Sequence, residues 1–179
     1  MTIVLSFHKQ LTNPIHRQDV LRLLVECDDE FLPSLSSKRI QPNNIQSKEE
    51  LLMQYMKEKD TENYYILAYD NQQLVGFLNF VPRYQVPGFP LSNDVDTTCV
   101  QKEYRNKGIA RRLYTFLETS LPSNVQMSYV TRTTWSKNAT QLHLYQQFGY
   151  TLLEKKEHDR GEGVHTLVFG KKIKDSSTI

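Results

Sequence analysis

Apolar residues recur every three to four positions in some stretches of this chain and every second position, or without a break, in others. Residues 19–31 carry Val20, Leu24, Cys27 and Phe31, with Leu21 and Val25 beside them, which is helical spacing. Residues 47–60 open with Ser47 and have Glu50 three positions on, a capping-box pattern, before the apolar stripe Leu51, Leu52, Tyr55 and Met56. Ile109, Leu113, Phe116 and Leu117 fall at i, i+4, i+7 and i+8, so 108–119 is predicted helical, with Pro122 as a stop beyond it. Ser136 can cap a further helix over 138–148, which Gly149 ends.

Strand-like runs occupy 64–69, 74–81, 95–100, 125–133, 150–154 and 164–173, with Asp70-Asn71 as a hairpin turn between the first two. Pro82, Pro87, Gly88 and Pro90 interrupt residues 82–93, which are predicted to be one long loop bearing Tyr84 and Phe89. No repeat, low-complexity tract or linker divides the sequence. Strands and helices intermixed, with strands mostly sequential neighbours, imply one α/β domain with a mixed sheet.

Composition narrows the class. A chain of 179 residues is long enough for one continuous core. Lysine and arginine total 22 against 20 acidic residues, a net charge of +2 that argues against a nucleic-acid or membrane partner. No apolar run reaches the roughly 18 residues of a membrane span, and no signal peptide is read at the amino terminus. Cys27 and Cys99 are too few for a disulfide framework, so a cytoplasmic location is expected. His8, His16, His143, His158 and His165 have no ligand spacing, and no metal is expected. Cys99 reads as a small buried strand residue rather than a nucleophile, since no histidine stands at a partner position.

The most informative stretch is Arg105-Asn106-Lys107-Gly108-Ile109-Ala110, between a predicted strand and a predicted helix. A helix start presents outward-pointing amides and the positive end of the macrodipole, a natural site for an anion. Gly108 allows a phosphate close to the backbone, and Arg105, Lys107, Arg111 and Arg112 add charge. The chemistry implied is binding of a di- or polyphosphate. The bland alternative is a basic helix start on a solvated face.

This stretch resembles the GNAT superfamily of acetyl-CoA-dependent N-acetyltransferases. That family has a strand, then Arg/Gln-x-x-Gly-x-Gly/Ala, then a helix, and Arg105, Gly108 and Ala110 fill those positions. A second motif is similar: Asn138, Tyr145, Gly149 and Tyr150 match the family's asparagine, a tyrosine seven residues on, then glycine and an aromatic. Gly76 sits where the family's third strand would be. The resemblance implies a single-domain α/β GNAT fold over 1–179, with a mixed, mostly antiparallel sheet flanked by helices and a flexible tail in the last few residues. It implies acetyl-CoA as co-substrate and a primary amine of a small molecule or peptide as acceptor, attacked directly. It is compatible with a homodimer.

By the same resemblance, Arg105, Asn106, Lys107, Gly108, Ile109 and Ala110 would grip the coenzyme pyrophosphate, and Thr98, Cys99 and Val100 would pair with the pantetheine arm. An amide of the Cys99–Val100 region would polarise the thioester carbonyl, Asn138 would contact the pantetheine, and Tyr145 would protonate the departing thiolate. The alternative for Tyr145 is core packing in the stripe Leu142, Tyr145 and Phe148. Asp94 stands where several members place a base, with Asp96 on the same face of a regular strand, but Asp94 also reads as a turn residue closing the loop. The variant with a glutamate just before the asparagine is absent, since Arg132 and Thr133 stand there. The loop 82–93 is expected to wall the acceptor side. The rival reading is a non-catalytic acyl-CoA-binding or regulatory module of the same fold.

Overall fold

The computed structural model describes residues 2–37 and 46–173, so the tail expected at the carboxyl end lies outside the described residues. Along the chain run β1 (Ile3–His8), α1 (Pro14–Cys27), a 3-10 turn (Asp28–Glu30), α2 (Lys48–Lys59), β2 (Tyr64–Asp70), β3 (Gln73–Tyr84) and β4 (Ser92–Val100). A second 3-10 turn (Lys102–Tyr104) precedes α3 (Ile109–Thr119), β5 (Tyr129–Trp135), α4 (Ala139–Gln147), β6 (Thr151–Lys156) and β7 (Thr166–Lys172). The strands of the described residues form one sheet in the order β1-β2-β3-β4-β5-β7-β6. β1–β2, β5–β7 and β6–β7 are antiparallel, and β4–β5 is a parallel ladder of three pairs: Asn93–Val130, Asp94–Thr131 and Val95–Arg132. This is the α/β class with a mixed, mostly antiparallel sheet that the sequence predicts.

The chain clusters into two compact units, Met1–Asn79 with Thr97–Tyr114, and Phe80–Asp96 with Thr115–Ile179. The first unit is held by a core of Val20, Leu23, Leu24 and Cys27 from α1, Leu52, Tyr55 and Met56 from α2, and Tyr65, Leu67, Leu74, Phe77 and Cys99 from the strands. Helix α1 begins five residues earlier than its apolar stripe suggests. Asn13 caps it, accepting from the Ile15 amide at 2.9 Å, and Pro14 occupies the first turn, where its missing N–H costs nothing. The helix stops at Cys27, and the acidic run Asp28–Glu30 tightens into the 3-10 turn instead of extending it to 31.

Helix α2 has the predicted capping box. The Ser47 hydroxyl accepts from the Glu50 amide at 3.2 Å, and the Glu50 carboxylate accepts from the Ser47 amide at 2.7 Å. The β2–β3 hairpin turns at Asn71, whose φ is 55°. Strand β1, which the periodicity does not reveal, pairs in full with β2 from Ile3–Asp70 to His8–Tyr65, yet buries only Ile3.

In the second unit the expected long loop over 82–93 is shorter. Strand β3 continues through Pro82 to Tyr84, with a break in its twist at Arg83 (φ 57°), and β4 begins at Ser92. Ser92 and Asn93 are buried and bonded: the Ser92 and Thr131 hydroxyls meet at 2.8 Å, and the Asn93 amide donates to the Val125 carbonyl at 3.2 Å. The remaining loop is pinned by Phe89, which packs edge-on to Tyr129 and lies where a side chain on Gly170 would stand, within 2.7 Å of its Cβ position. Strand β5 starts at Tyr129, later than the predicted 125, because Pro122 to Val125 close a turn through the Val125 amide and the Pro122 carbonyl at 2.8 Å. Asn138, not Ser136, caps α4, its side-chain oxygen accepting from the Gln141 amide at 3.3 Å. The Ser136 hydroxyl instead accepts from the His165 amide at 3.0 Å. No helix among the described residues is long and apolar enough to cross a membrane.

Replacing Ser47 by alanine removes one half of the capping box, and thermal melting should show a loss of about 1 kcal/mol, or roughly 2–4 °C. The hydrogen bond from the Ser47 backbone, and then that from its hydroxyl, hold the Glu50 carboxyl below its ordinary value. The part of the box that uses the carboxylate is therefore at full strength above that ordinary value and fades as pH falls through the depressed one, so the gap between Ser47→Ala and the parent should narrow in acid, the pH-independent bond from the Glu50 amide to the Ser47 hydroxyl remaining. A constant gap down to the acid limit of folding would show that the bond from the Ser47 hydroxyl to the carboxylate contributes nothing.

Candidate functional site

The start of α3 is built by a close packing contact. Ile109 is buried against β3 at Gly76: a Cβ on residue 76 would come within 2.9 Å of the Ile109 Cγ2 and 3.2 Å of the Cys99 carbonyl oxygen. Only glycine lets the first residue of α3 seat so near the strand backbones. Seating Ile109 leaves Asn106, Lys107 and Gly108 exposed ahead of it. Asn106 (φ 59°) and Gly108 (φ 79°) both adopt left-handed conformations, which turn the chain sharply into the helix. The α3 ladder includes the bond from the Arg112 amide to the Gly108 carbonyl at 3.0 Å, and the amides of the first turn face out along the axis. A Cβ on Gly108 would meet nothing within 4 Å. Open space over a left-handed glycine at a helix start can hold a phosphate group, so the residues present fit the pyrophosphate of a coenzyme.

Arg105 is turned away from that space. Its Nε donates to the Val100 carbonyl at 3.0 Å, and its Nη2 lies 3.0 Å from the Glu30 carboxylate and 3.7 Å from the Cys27 sulfur. Glu26 accepts from the Lys102 amide at 2.9 Å. Two carboxylates from the end of α1 and the turn after it thus fix the ends of the loop. Arg105 stiffens the loop, while Lys107, whose amine lies 5.1 Å from the Tyr104 ring centre, is an exposed cation beside Gly108.

The neighbouring part of β4 is also engaged. The Thr98 hydroxyl accepts from the Tyr114 hydroxyl at 3.1 Å, and the Gln101 amide donates to the Val75 carbonyl at 2.9 Å. Cys99 is buried, and burial pushes its thiol well above the ordinary value, which keeps it protonated and unreactive. A hydrogen bond from Cys99 pulls the Cys27 thiol down against the opposing effect of burial. In the first unit the structure therefore brings Thr98, Cys99, Val100, Arg105, Asn106, Lys107, Gly108, Ile109 and Ala110 together.

In the second unit Asp94 is a strand residue, not a turn. It pairs with Thr131 across the β4–β5 ladder and accepts from the Thr131 hydroxyl at 2.7 Å. Asn138 spends its side-chain oxygen on the α4 cap. Tyr145 is buried on α4, with its ring 5.3 Å from Phe169 and 5.7 Å from Tyr150. Beside it stands a cluster that the sequence reading does not single out: Arg132 of β5, Glu118 of α3, Tyr150 and Lys171 of β7. The Tyr150 hydroxyl donates to Glu118 at 2.6 Å and accepts from Arg132, while Lys171 donates to the other Glu118 oxygen at 2.6 Å. Burial drives the Tyr150 hydroxyl well above its ordinary value. No single position announces this cluster, because its members come from four separate segments. The oddity visible beforehand is an arginine, Arg132, within a run of strand residues.

Residues 24–150 match the model of the acetyltransferase (GNAT) family. No curated protein matches the sequence. Solved structures resemble the chain over nearly its full length. The N-acetyltransferase from Staphylococcus aureus Mu50 gives a TM-score of 0.67 at 13% identity, covering 97% of this chain and 100% of that one. The ribosomal-protein-alanine N-acetyltransferase from Brucella melitensis gives 0.65 at 16%, covering 96% and 99%. An aminoglycoside 6'-N-acetyltransferase complexed with coenzyme A gives 0.66 at 17%, covering 97% of each. At these identities the structural likeness carries the fold. The family match spans well over half of the sequence, and on that ground the chain belongs to the GNAT acetyltransferase family.

Proposed function

We propose that this chain is one N-acetyltransferase domain that moves an acetyl group from acetyl-CoA to a primary amine of a small molecule or peptide by direct attack, in the cytoplasm. The observation that carries the reading is the exposed left-handed Gly108 at the start of α3, with open space above it, inside the region that matches the family. Acetyl-CoA, when bound, supplies an activated thioester. The amides of Asn106, Lys107, Gly108, Ile109 and Ala110 hold its pyrophosphate, Lys107 adds charge, and Arg105 keeps the loop in shape. The backbone of Thr98, Cys99 and Val100, together with Asn138, orients the pantetheine arm. An amide of the Cys99–Val100 region stabilises the developing oxyanion. Asp94 takes the amine proton, its carboxylate fixed by the Thr131 hydroxyl. Tyr145 donates a proton to the departing thiolate. Orientation of the two reactants supplies much of the rate, so no protein nucleophile is needed.

The acceptor class is supported by the names of two structural neighbours, one an aminoglycoside acetyltransferase and one acting on a ribosomal-protein alanine. An assay of free thiol release over a panel of aminoglycosides, polyamines and peptides with free amino termini tests turnover directly. Thiol release with any amine supports the enzyme. Binding of acetyl-CoA with no release across the panel favours the non-catalytic acyl-CoA-binding module.

Acetyl-CoA at ~100 times its dissociation constant should add about 2.7 kcal/mol, or roughly 5–11 °C in melting temperature. Gly108→Val should still fold, since its Cβ has room, although a branched residue at φ 79° is strained and the variant should melt a few degrees lower. The acetyl-CoA shift should vanish in it. A shift of parental size in the folded variant would reduce the loop to an ordinary helix start.

Tyr145→Phe keeps the ring and removes the hydroxyl, so melting temperature and acetyl-CoA shift should hold while turnover falls by about 10²-fold, the lower end of the range for a general acid. Water can substitute in part as the acid, since a thiolate is a fair leaving group. Full activity would make Tyr145 a packing residue.

A further inference from the structure

We propose that Arg132 is a positioning residue for Tyr145, acting through a buried ionic cluster that holds the Tyr145 ring. The proposal rests on the reading of Tyr145 as the acid. Arg132 is fully buried at 0% exposure, and Glu118 is at 6%. The guanidinium bonds the Glu118 carboxylate at 3.4 Å and the Tyr150 hydroxyl, and Glu118 in turn accepts from Tyr150 and Lys171. Two cations, the buried Arg132 and the partly exposed Lys171, face one carboxylate, so the cluster carries one net positive charge.

That charge is spread over aromatic faces. The guanidinium carbon lies 4.1 Å from the centre of the Tyr150 ring, 5.3 Å from that of Tyr145 and 5.9 Å from that of Phe148. The Lys171 amine is 5.5 Å from the Tyr150 and Phe148 rings. Stability alone does not account for such a construction, since apolar residues of similar volume usually serve a core as well as a buried ion cluster does. What the cluster adds is direction. Tyr145 is held by the cation on one side, by Phe169 edge-on and by Tyr150 at a tilt. The hydroxyl lies in the plane of its ring, so fixing the ring fixes where the proton is offered. A displacement of ~1 Å at such a group can cost about 10²-fold in rate.

The test is a double-mutant cycle in turnover number with an amine from the panel. Arg132→Lys keeps the charge and loses the planar fork that bonds and stacks at once. The single variant should retain the acetyl-CoA melting shift and a KM for acetyl-CoA within about twofold of the parent, while kcat falls ~10-fold or more. In the Tyr145→Phe background the same substitution should change kcat by less than about threefold, because the group it positions is gone. An effect of equal size in both backgrounds, or none in either, overturns the proposal and leaves Tyr145 as the acid. Full activity of Tyr145→Phe alone removes the underlying assignment, and the positioning role with it. Should Arg132→Lys melt below the assay temperature, Tyr150→Phe takes its place. It keeps the stacked ring, removes the hydroxyl that ties Arg132 to Glu118, and is read by the same cycle.

Discussion

Ile109 lies where any side chain on residue 76 would have to go. The contact distances there, 2.9 Å to the Ile109 methyl and 3.2 Å to the Cys99 carbonyl, mean that an alanine would force either β3 or α3 to shift. The seating of the α3 start in the first unit depends on that one absent side chain. With Ile109 seated, the three residues before it are displaced outward, and the chain must reverse through left-handed conformations at Asn106 and Gly108 to reach it. Gly76 and Gly108 thus play different parts. One gives up volume so that the helix can approach, and the other adopts a backbone angle that turns the chain into the helix.

Charge is distributed around this loop with a similar division of labour. An arginine beside a phosphate site is ordinarily read as a ligand, but Arg105 is committed to Glu30, Cys27 and the Val100 carbonyl. Its pairing with a carboxylate and a carbonyl ties the loop to the turn after α1 and to the end of β4. On the proposed reading an anion would be left to backbone amides, which lose no side-chain entropy on binding, and to Lys107, whose flexible stem could follow a ligand. A fixed loop with few mobile parts suits a coenzyme that must be held in one place while its far end reacts.

How much of this could be read in the sequence depended on whether the cause was local. The capping box at Ser47 and Glu50, the α3 stripe from Ile109 and the turn at Asn71 are set by residues within a few positions of one another, and the structure has them as expected. Strand β1 escaped because it buries little besides Ile3 and is defined by its partner β2. The polar first turn of α1 hid behind Pro14, which is a breaker inside a helix but suits its start. Proline misled again at Pro82, where β3 carries on to Tyr84 with Arg83 in a left-handed conformation. Asn138 and Ser136 competed for one cap, and the choice fell to Asn138 because the Ser136 hydroxyl is engaged by the His165 amide, a residue far along the chain.

Arg132 is the extreme case of such non-local causes. On β5 its neighbours in sequence are threonines, and nothing local indicates that the side chain is interior. Its burial is possible only because Glu118, Tyr150 and Lys171 arrive from other elements with matching donors and acceptors. Arg132 and Glu118 would each be costly alone, since an unpaired interior charge destabilises by several kcal/mol. Together the cluster residues satisfy one another across four segments of the chain. A hydrophobic core can shift its side chains by small amounts at small cost, whereas a bonded ionic cluster tolerates few arrangements. If Tyr145 is the acid, as proposed, its ring stands against the second kind of support: the Arg132 guanidinium on one side, with Tyr150 and Phe169 beside it.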